Sequence, residues 1–178
     1  FYFCKSLKKI SIPSSVTKIS KSAFFFCQSL KSVYITSSVK SIGICSFYSC
    51  SRLKKISLSP SLTTIELCLL KNCWSLNHII IPSSVKIIEN KAFFACSLIE
   101  IEIPSSVYKI GEEAFGFCRS LKRIKIFSHN LIMEKSAFTY CNSLDQIIIH
   151  STLNDQFEEF KGYIEIINFE FSIVPKNL

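Results

Sequence analysis

Seven cysteines, Cys4, Cys27, Cys50, Cys73, Cys96, Cys118 and Cys141, follow one another at intervals of 23, 23, 23, 23, 22 and 23 residues. A spacing this regular over most of a 178-residue chain means that one structural unit is written out repeatedly, so the fold must be a stack of such units. The short interval is a one-residue deletion just after Cys96, where Ser97-Leu98 stands in place of the step seen as Gln28-Ser29-Leu30. Apolar residues keep register around the column. Leu76, Ile79, Ile81, Val85, Ile88, Ala92 and Phe93 after Cys73 recur as Leu98, Ile101, Ile103, Val107, Ile110, Ala114 and Phe115 after Cys96.

Each unit divides by its own chemistry. Leu-x-x-Ile-x-Ile alternates with period two, as in residues 76–81, so Ile79 and Ile81 face one side and His78 and Ile80 the other; this reads as a short strand. Pro-Ser-Ser at residues 13–15, 82–84 and 104–106 combines a fixed φ with hydroxyls that satisfy nearby backbone, which ends the strand in a turn. Val-x-x-Ile then supplies two more inward residues. The Ala-Phe-x-x-Cys stretch, as in residues 23–27, predicts a short helical or 3₁₀ turn on the outer side. One unit cannot bury its own apolar face, so units stack strand beside strand at about 4.8 Å into a curved solenoid. Irregular turns are expected where Ala-Phe gives way to other residues, at 66–72, and where Phe-Ser-His-Asn replaces Pro-Ser-Ser-Val, at 127–130. Phe1 aligns with Phe24, so the chain opens inside a unit, as a fragment of a longer array would.

Composition limits what such a stack does. No apolar run approaches the roughly 18 residues that cross a bilayer, and the opening residues lack the pattern of a secretory signal. The formal charge of +8 is unevenly spread. Residues 1–65 hold ten Lys or Arg and no Asp or Glu, whereas residues 66–178 hold eleven basic and thirteen acidic side chains. The N-terminal half is therefore a candidate for contact with an acidic surface, set against the plainer reading of lysines that keep outer positions wet.

The unit Ile-Pro-Ser-Ser-Val-x-x-Ile, then Ala-Phe, two residues, Cys, one residue and Ser-Leu-Lys, resembles the BspA-like class of leucine-rich repeats. Residues 81–98 and 103–121 show it best, and the resemblance covers residues 1–149. It implies an α/β repeat solenoid: a right-handed superhelix with a parallel β-sheet on the concave face and short turns or helical segments outside. Residues 1–153 are expected to form the solenoid, about six units, and residues 154–178 a C-terminal cap or terminal strand with alternation at Ile164, Ile166, Phe169, Phe171 and Ile173. The resemblance further implies a cell-surface or secreted protein that adheres to host or extracellular-matrix glycoproteins. A structural spacer, an intracellular scaffold and a polyanion binder are the rival readings.

The candidate binding face is the outward ladder of successive strands. It runs Lys9 and Ser11, Ser32 and Tyr34, Lys55 and Ser57, His78 and Ile80, Glu100 and Glu102, Arg123 and Lys125, Gln146 and Ile148. The core places no demand on these positions, so their variation is free to encode recognition, and Tyr34, Ile80 and Ile148 are the apolar ones that anchor an interface or simply stand exposed. The basic residues scatter over several faces and Glu100 and Glu102 interrupt the ladder, which argues against nucleic acid. Phe25, Phe26, Tyr48, Phe94, Phe117 and Tyr140 read mostly as packing between units.

Other chemistry finds little support. Seven cysteines occupy one core column. Cys45 and Cys68 lie 23 apart in a separate, outward column otherwise holding Ser22, Lys91, Glu113 and Ser136, and are a candidate disulfide or a pair of free thiols. Zinc held by Cys45, Cys50, Cys68 and Cys73 is a weaker alternative, because the core column already explains two of them. His78, His129 and His150 fall at different repeat positions without nucleophile partners, and the four glycines form no phosphate loop. No catalytic residue, cofactor, metal or small-molecule substrate is assigned, and no enzyme activity is expected.

Overall fold

The computed structural model describes residues 1–160 and 165–169. In chain order the strands are β1 (Lys9–Ser11), β2 (Lys18–Ile19), β3 (Ser32–Tyr34), β4 (Ser41–Ile42), β5 (Lys55–Ser57), β6 (Thr64–Ile65), β7 (Ile87–Ile88), β8 (Glu100–Ile103), β9 (Lys109–Ile110), β10 (Arg123–Ile126), β11 (Ile132–Met133), β12 (Gln146–His150) and β13 (Glu165–Phe169), with a 3₁₀ segment at Ser151–Phe160 before the last. Every pairing is parallel and joins one turn of a solenoid to the next.

Two strand columns run along the stack. The longer one holds the Leu-x-x-Ile-x-Ile segments and pairs as β1-β3-β5 and as β8-β10-β12-β13. The shorter one holds the end of Val-x-x-Ile and pairs as β2-β4 and as β6-β7-β9-β11. Register follows the repeat, with Lys9 opposite Ser32 and Ser32 opposite Lys55. The one-residue deletion does not disturb it, since across it Ile87 still meets Lys109 and Ile88 meets Ile110. The missing residue is taken from the turn after Cys96, where Leu98 remains fully buried.

The outer segments correct the expectation of helix. Two residues per unit, four apart, sit at positive φ: Ser22 and Phe26, Cys45 and Ser49, Cys68 and Asn72, Lys91 and Ala95, Glu113 and Phe117. Left-handed residues stop a right-handed helix and rotate N–H groups out of the local turn. Those groups then bond the neighbouring turn: Ser22 N donates to Ile44 O at 2.9 Å, Phe24 N to Ser46 O at 2.8 Å and Phe26 N to Tyr48 O at 2.9 Å. The same ladder continues through Cys68 N to Asn90 O and Phe117 N to Thr139 O. Each residue type costs about 1–2 kcal/mol in this conformation, offset by backbone groups that would otherwise lie unpaired. Residues 66–72 keep this pattern, with Leu69 and Leu70 buried in place of Ala-Phe, so no irregular turn forms there. Residues 127–130 do depart, bending where other units turn.

The core is a set of columns. Phe24 and Phe47 stack with ring centres 5.1 Å apart, as do Phe93 with Phe115 and Phe115 with Phe138; Leu70 interrupts the file. Leu30, Leu53, Leu76, Leu98 and Leu121 form a second fully buried file, and Ile65, Ile88 and Ile110 a third. Burying each such side chain contributes about 1.5–3 kcal/mol, repeated turn after turn. At the far end Leu153 and Phe157 of the 3₁₀ segment are buried. The boundary expected at residues 153 and 154 falls inside that segment. Of the expected terminal strand, residues 165–169 pair with β12, while residues 163, 164 and 170–174 lie outside the described part of the chain.

One strand expected from the alternation does not form. Residues 77–81 keep the predicted sidedness, Ile79 and Ile81 buried and His78 and Ile80 exposed, yet they take no part in either sheet. Asn77 O accepts from Ile99 N at 3.2 Å, but among the described residues no backbone hydrogen bond joins 55–57 to 77–81. The longer column is therefore broken between its third and fourth rungs. The turns themselves stay in register there, because β6 pairs with β7 and Leu70 N bonds Ala92 O at 2.8 Å.

Candidate functional site

The outward ladder stands where the alternation places it. Lys9, Ser11, Tyr34, Lys55, Ser57, His78, Ile80, Glu102 and Arg123 are exposed, and Ser32, Glu100, Lys125, Gln146 and Ile148 are half-buried. Tyr34 and Ile80 carry most of the free apolar surface, at 67% and 72% exposure. Ile148, opposite Lys125 of β10 and Ile167 of β13, is half-buried instead. The structure gathers eight of these fourteen positions, Lys9 through Ile80, along one open cleft of about 1120 Å³ that spans the first four rungs and takes in the break in the sheet. Lys54, Pro60, Asn77, Pro82 and Ser83 also line it, over a floor of Ile10, Val33, Ile56, Leu58 and Ile79. A smaller hollow of about 320 Å³ lies beside it, bounded by Ile80, Glu100, Glu102 and Phe127.

Electrostatics divides the ladder in two. On the far turns Arg123 donates to Glu100 at 2.9 Å and Lys125 to Glu102 at 2.7 Å, so the carboxylates seen in the sequence neutralise their own neighbours. The Arg123 hydrogen bond holds the Glu100 carboxyl below the usual carboxylate range, and the partners Glu100 and Glu102 hold Arg123 and Lys125 above theirs. On the near turns no carboxylate precedes Glu66. Among the described residues Lys9 and Lys55 have no acidic partner.

The cysteines separate as their columns suggest. Cys27, Cys50, Cys73, Cys96, Cys118 and Cys141 are buried. Each also does something the periodicity alone does not disclose, donating its S–H to a backbone carbonyl one turn back, at 3.1 to 3.3 Å. Cys45 and Cys68 are half-buried thiols on adjacent turns, and burial first, then the neighbouring Cys68, pushes the Cys45 thiol up. In the same column Lys91 and Glu113 meet at 3.1 Å. Cys50 and Cys73 are committed inward, so the four-cysteine grouping does not assemble, and among the described residues no cluster of three metal-ligating side chains occurs. On the outer surface Phe25 stacks on Tyr48 at 4.8 Å, Phe117 meets Tyr140 at 4.5 Å and Lys71 lies 4.6 Å from the centre of Phe94. No helix of the described residues is long and apolar enough to cross a membrane.

Parallel strands stacked at one residue register, inward leucine and isoleucine files and a variable outward ladder define a leucine-rich-repeat solenoid. The chain belongs to the family described as BspA type leucine rich repeat region, six copies of which match over residues 1–98 and 68–174. It is similar to a solved leucine-rich repeat protein of Bacteroides ovatus, with 30% identity and a TM-score of 0.75, over 79% of this chain and 39% of that one. A leucine rich cell surface protein of Faecalibacterium prausnitzii shares 28% identity over 79% of this chain and 31% of its own, with a TM-score of 0.54. The leucine-rich repeat protein of Treponema pallidum, 24% identical over 90% of this chain and 86% of its own, shares the fold with a TM-score of 0.65. No curated protein matches the chain. The chain thus spans well under half the length of the first two solved relatives.

Proposed function

We propose that this chain is a non-enzymatic protein-recognition segment of a cell-surface or secreted protein, and that its outward ladder is the concave face of a right-handed superhelix that adheres to host or matrix proteins. The observation that carries the reading is the contrast between uniform inward columns and an outward ladder that changes at every rung, with Tyr34 and Ile80 exposed beside one broad cleft. Exposed aromatic and aliphatic groups ringed by polar ones are the usual anchors of interfaces. The Faecalibacterium relative, described as a cell surface protein, supports the location. Residues 154–178 serve in this reading as the cap that covers the last core face.

The test is binding to a panel of immobilised matrix glycoproteins by the chain and by a Tyr34→Asp, Ile80→Asp double variant. Retention by at least one glycoprotein that the double variant loses is the expected result. Retention unchanged in the variant, or none from any member of the panel, sinks the assignment to this face. Protease shaving of intact source cells tests the location, because a surface protein loses these peptides and an internal one keeps them.

A further inference from the structure

We propose that the cleft at the break in the sheet takes an extended acidic peptide, reading one carboxylate and one apolar side chain two residues apart. The proposal rests on the protein-binding reading above and names the partner's chemistry.

The geometry comes from two short rows across the rungs. In one row Ser32 stands between Lys9 and Lys55, each opposite it in register. Rungs lie about 4.8 Å apart, so a carboxylate resting over the Ser32 hydroxyl is flanked by an ammonium group on either side. The charge-assisted bonds it would accept are the strong kind. In the other row Ser57 stands opposite Tyr34, and Ile80 of the following turn lines the same cleft. A small residue between two exposed large ones leaves a slot on the cleft wall that takes one aromatic or branched side chain. The slot lies at the rung interface where backbone bonding is missing, and Ile56, Leu58, Ile79 and Ile81 beneath it keep 4 to 7% of their surface accessible while deeper files reach zero.

The two subsites are offset by one rung and by two residues along the strand, about 8 Å between centres. Same-face side chains of an extended peptide repeat at about 6.6 Å, and the reach of a Glu side chain closes the difference. An acidic residue, any residue and an apolar residue in sequence therefore span both. Among the described residues no carboxylate pairs with Lys9 or Lys55, and residues 1–65 contain none. The strip ends where Glu100 and Glu102 occupy Arg123 and Lys125. A sulfated or phosphorylated polymer would use the lysines and leave the Tyr34 and Ile80 slot idle, which is why the peptide is favoured.

The probes are fluorescent decapeptides of Gly and Ser holding one Glu-x-Phe step, with Lys-x-Phe and Glu-x-Ser controls and a heparin oligosaccharide, titrated against the whole chain by anisotropy. Glu-x-Phe is expected to bind, with each control peptide weaker by about ten-fold or more. Tyr34→Ala should weaken Glu-x-Phe to the level of Glu-x-Ser, and Lys55→Glu should reverse the preference toward Lys-x-Phe. Both positions are exposed, so unchanged circular dichroism is the folding control. No binding of Glu-x-Phe, equal binding of all three peptides, or Glu-x-Phe binding indifferent to Tyr34→Ala overturns the proposal. If the glycoprotein capture above is lost in the double variant while the peptides do not discriminate, the binding face stands and only the acidic-peptide assignment falls.

Discussion

Cys73 donates its S–H to the carbonyl of Phe47, 3.2 Å away on the preceding turn, and the carbonyl also accepts Cys50 N at 3.2 Å. The thiol thus fills a small apolar site and satisfies the second lone pair of a buried carbonyl. Cys73→Ala removes both contributions and should cost about 1–2 kcal/mol. Cys73→Ser keeps a donor, but its shorter C–O bond draws the oxygen away from the carbonyl and leaves a buried hydroxyl poorly bonded, a loss of about 1–3 kcal/mol. Urea denaturation checks both; a serine variant as stable as the native chain would mean that the column selects for size alone.

Cys45 and Cys68 occupy the same place on adjacent turns, both at positive φ, with Cys45 N donating to Leu67 O at 3.0 Å. Parallel neighbours lie within the Cα range that a disulfide spans. Oxidised glutathione should therefore cross-link them: one thiolate forms a mixed disulfide, the other displaces glutathione, and two thiols are oxidised as one glutathione disulfide is reduced. The tryptic map should show the two peptides joined and lighter by two hydrogen atoms, reversibly with dithiothreitol. The bridge should stabilise the chain by up to about 3 kcal/mol in the chain-entropy account. Stable glutathione adducts on both residues, with no cross-link, would show that the pair cannot close.

Ala95 sits at φ 57° and donates to Gly116 O at 2.8 Å. Glycine adopts this conformation without the Cβ penalty, so Ala95→Gly relieves about 1–2 kcal/mol of strain and returns about 0.5–1 in unfolded-state entropy. A gain of roughly 0.5–1 kcal/mol is expected. The same substitution at Ala92, fully buried between turns, should destabilise. Thermal melts of the two variants should move in opposite directions; parallel shifts would refute the account of the outer turns.

The stack, its register and the sidedness of every strand were legible because each follows from which residues are apolar. Ile79 and Ile80 fall on the predicted faces even where the strand itself is missing. Hydrogen bonding between neighbours is a relation between two units, and a pattern read within one unit does not contain it. Hence the break beside residues 77–81 left no trace in the alternation. The outer turns misled for a related reason: Phe26 and Cys45 are residue types with no preference for positive φ, and only the neighbouring carbonyls explain their conformation. For the proposed binding face, the ladder was readable, but its division was not. Glu100 and Glu102 looked like interruptions of a basic strip until their pairing with Arg123 and Lys125 showed them to be its boundary.

Alkaline pH should unfold this chain earlier than its lysines would. Burial pushes the Cys50 and Cys141 thiols up to about 12, and drives Cys73, Cys96 and Cys118 well above the ordinary thiol range. A folded-state pKa above the unfolded one contributes stability that is complete below the unfolded value and is lost as pH rises toward the folded one. In the unfolded chain these thiols ionise near 8.5, so above that pH unfolding releases protons and stability falls by about 1.4 kcal/mol per pH unit for each group. Five such groups bring the loss to several kcal/mol per unit, comparable with the whole stability of a domain within two units. The urea midpoint should be level from pH 6 to 8, then drop steeply between 8.5 and 10, before lysine or tyrosine titrates. Replacing two of the column cysteines by alanine should flatten the slope between pH 8.5 and 10 while lowering the plateau below it. A midpoint level to pH 10 in the native chain would show that the column thiols ionise in place and that burial does not hold them protonated.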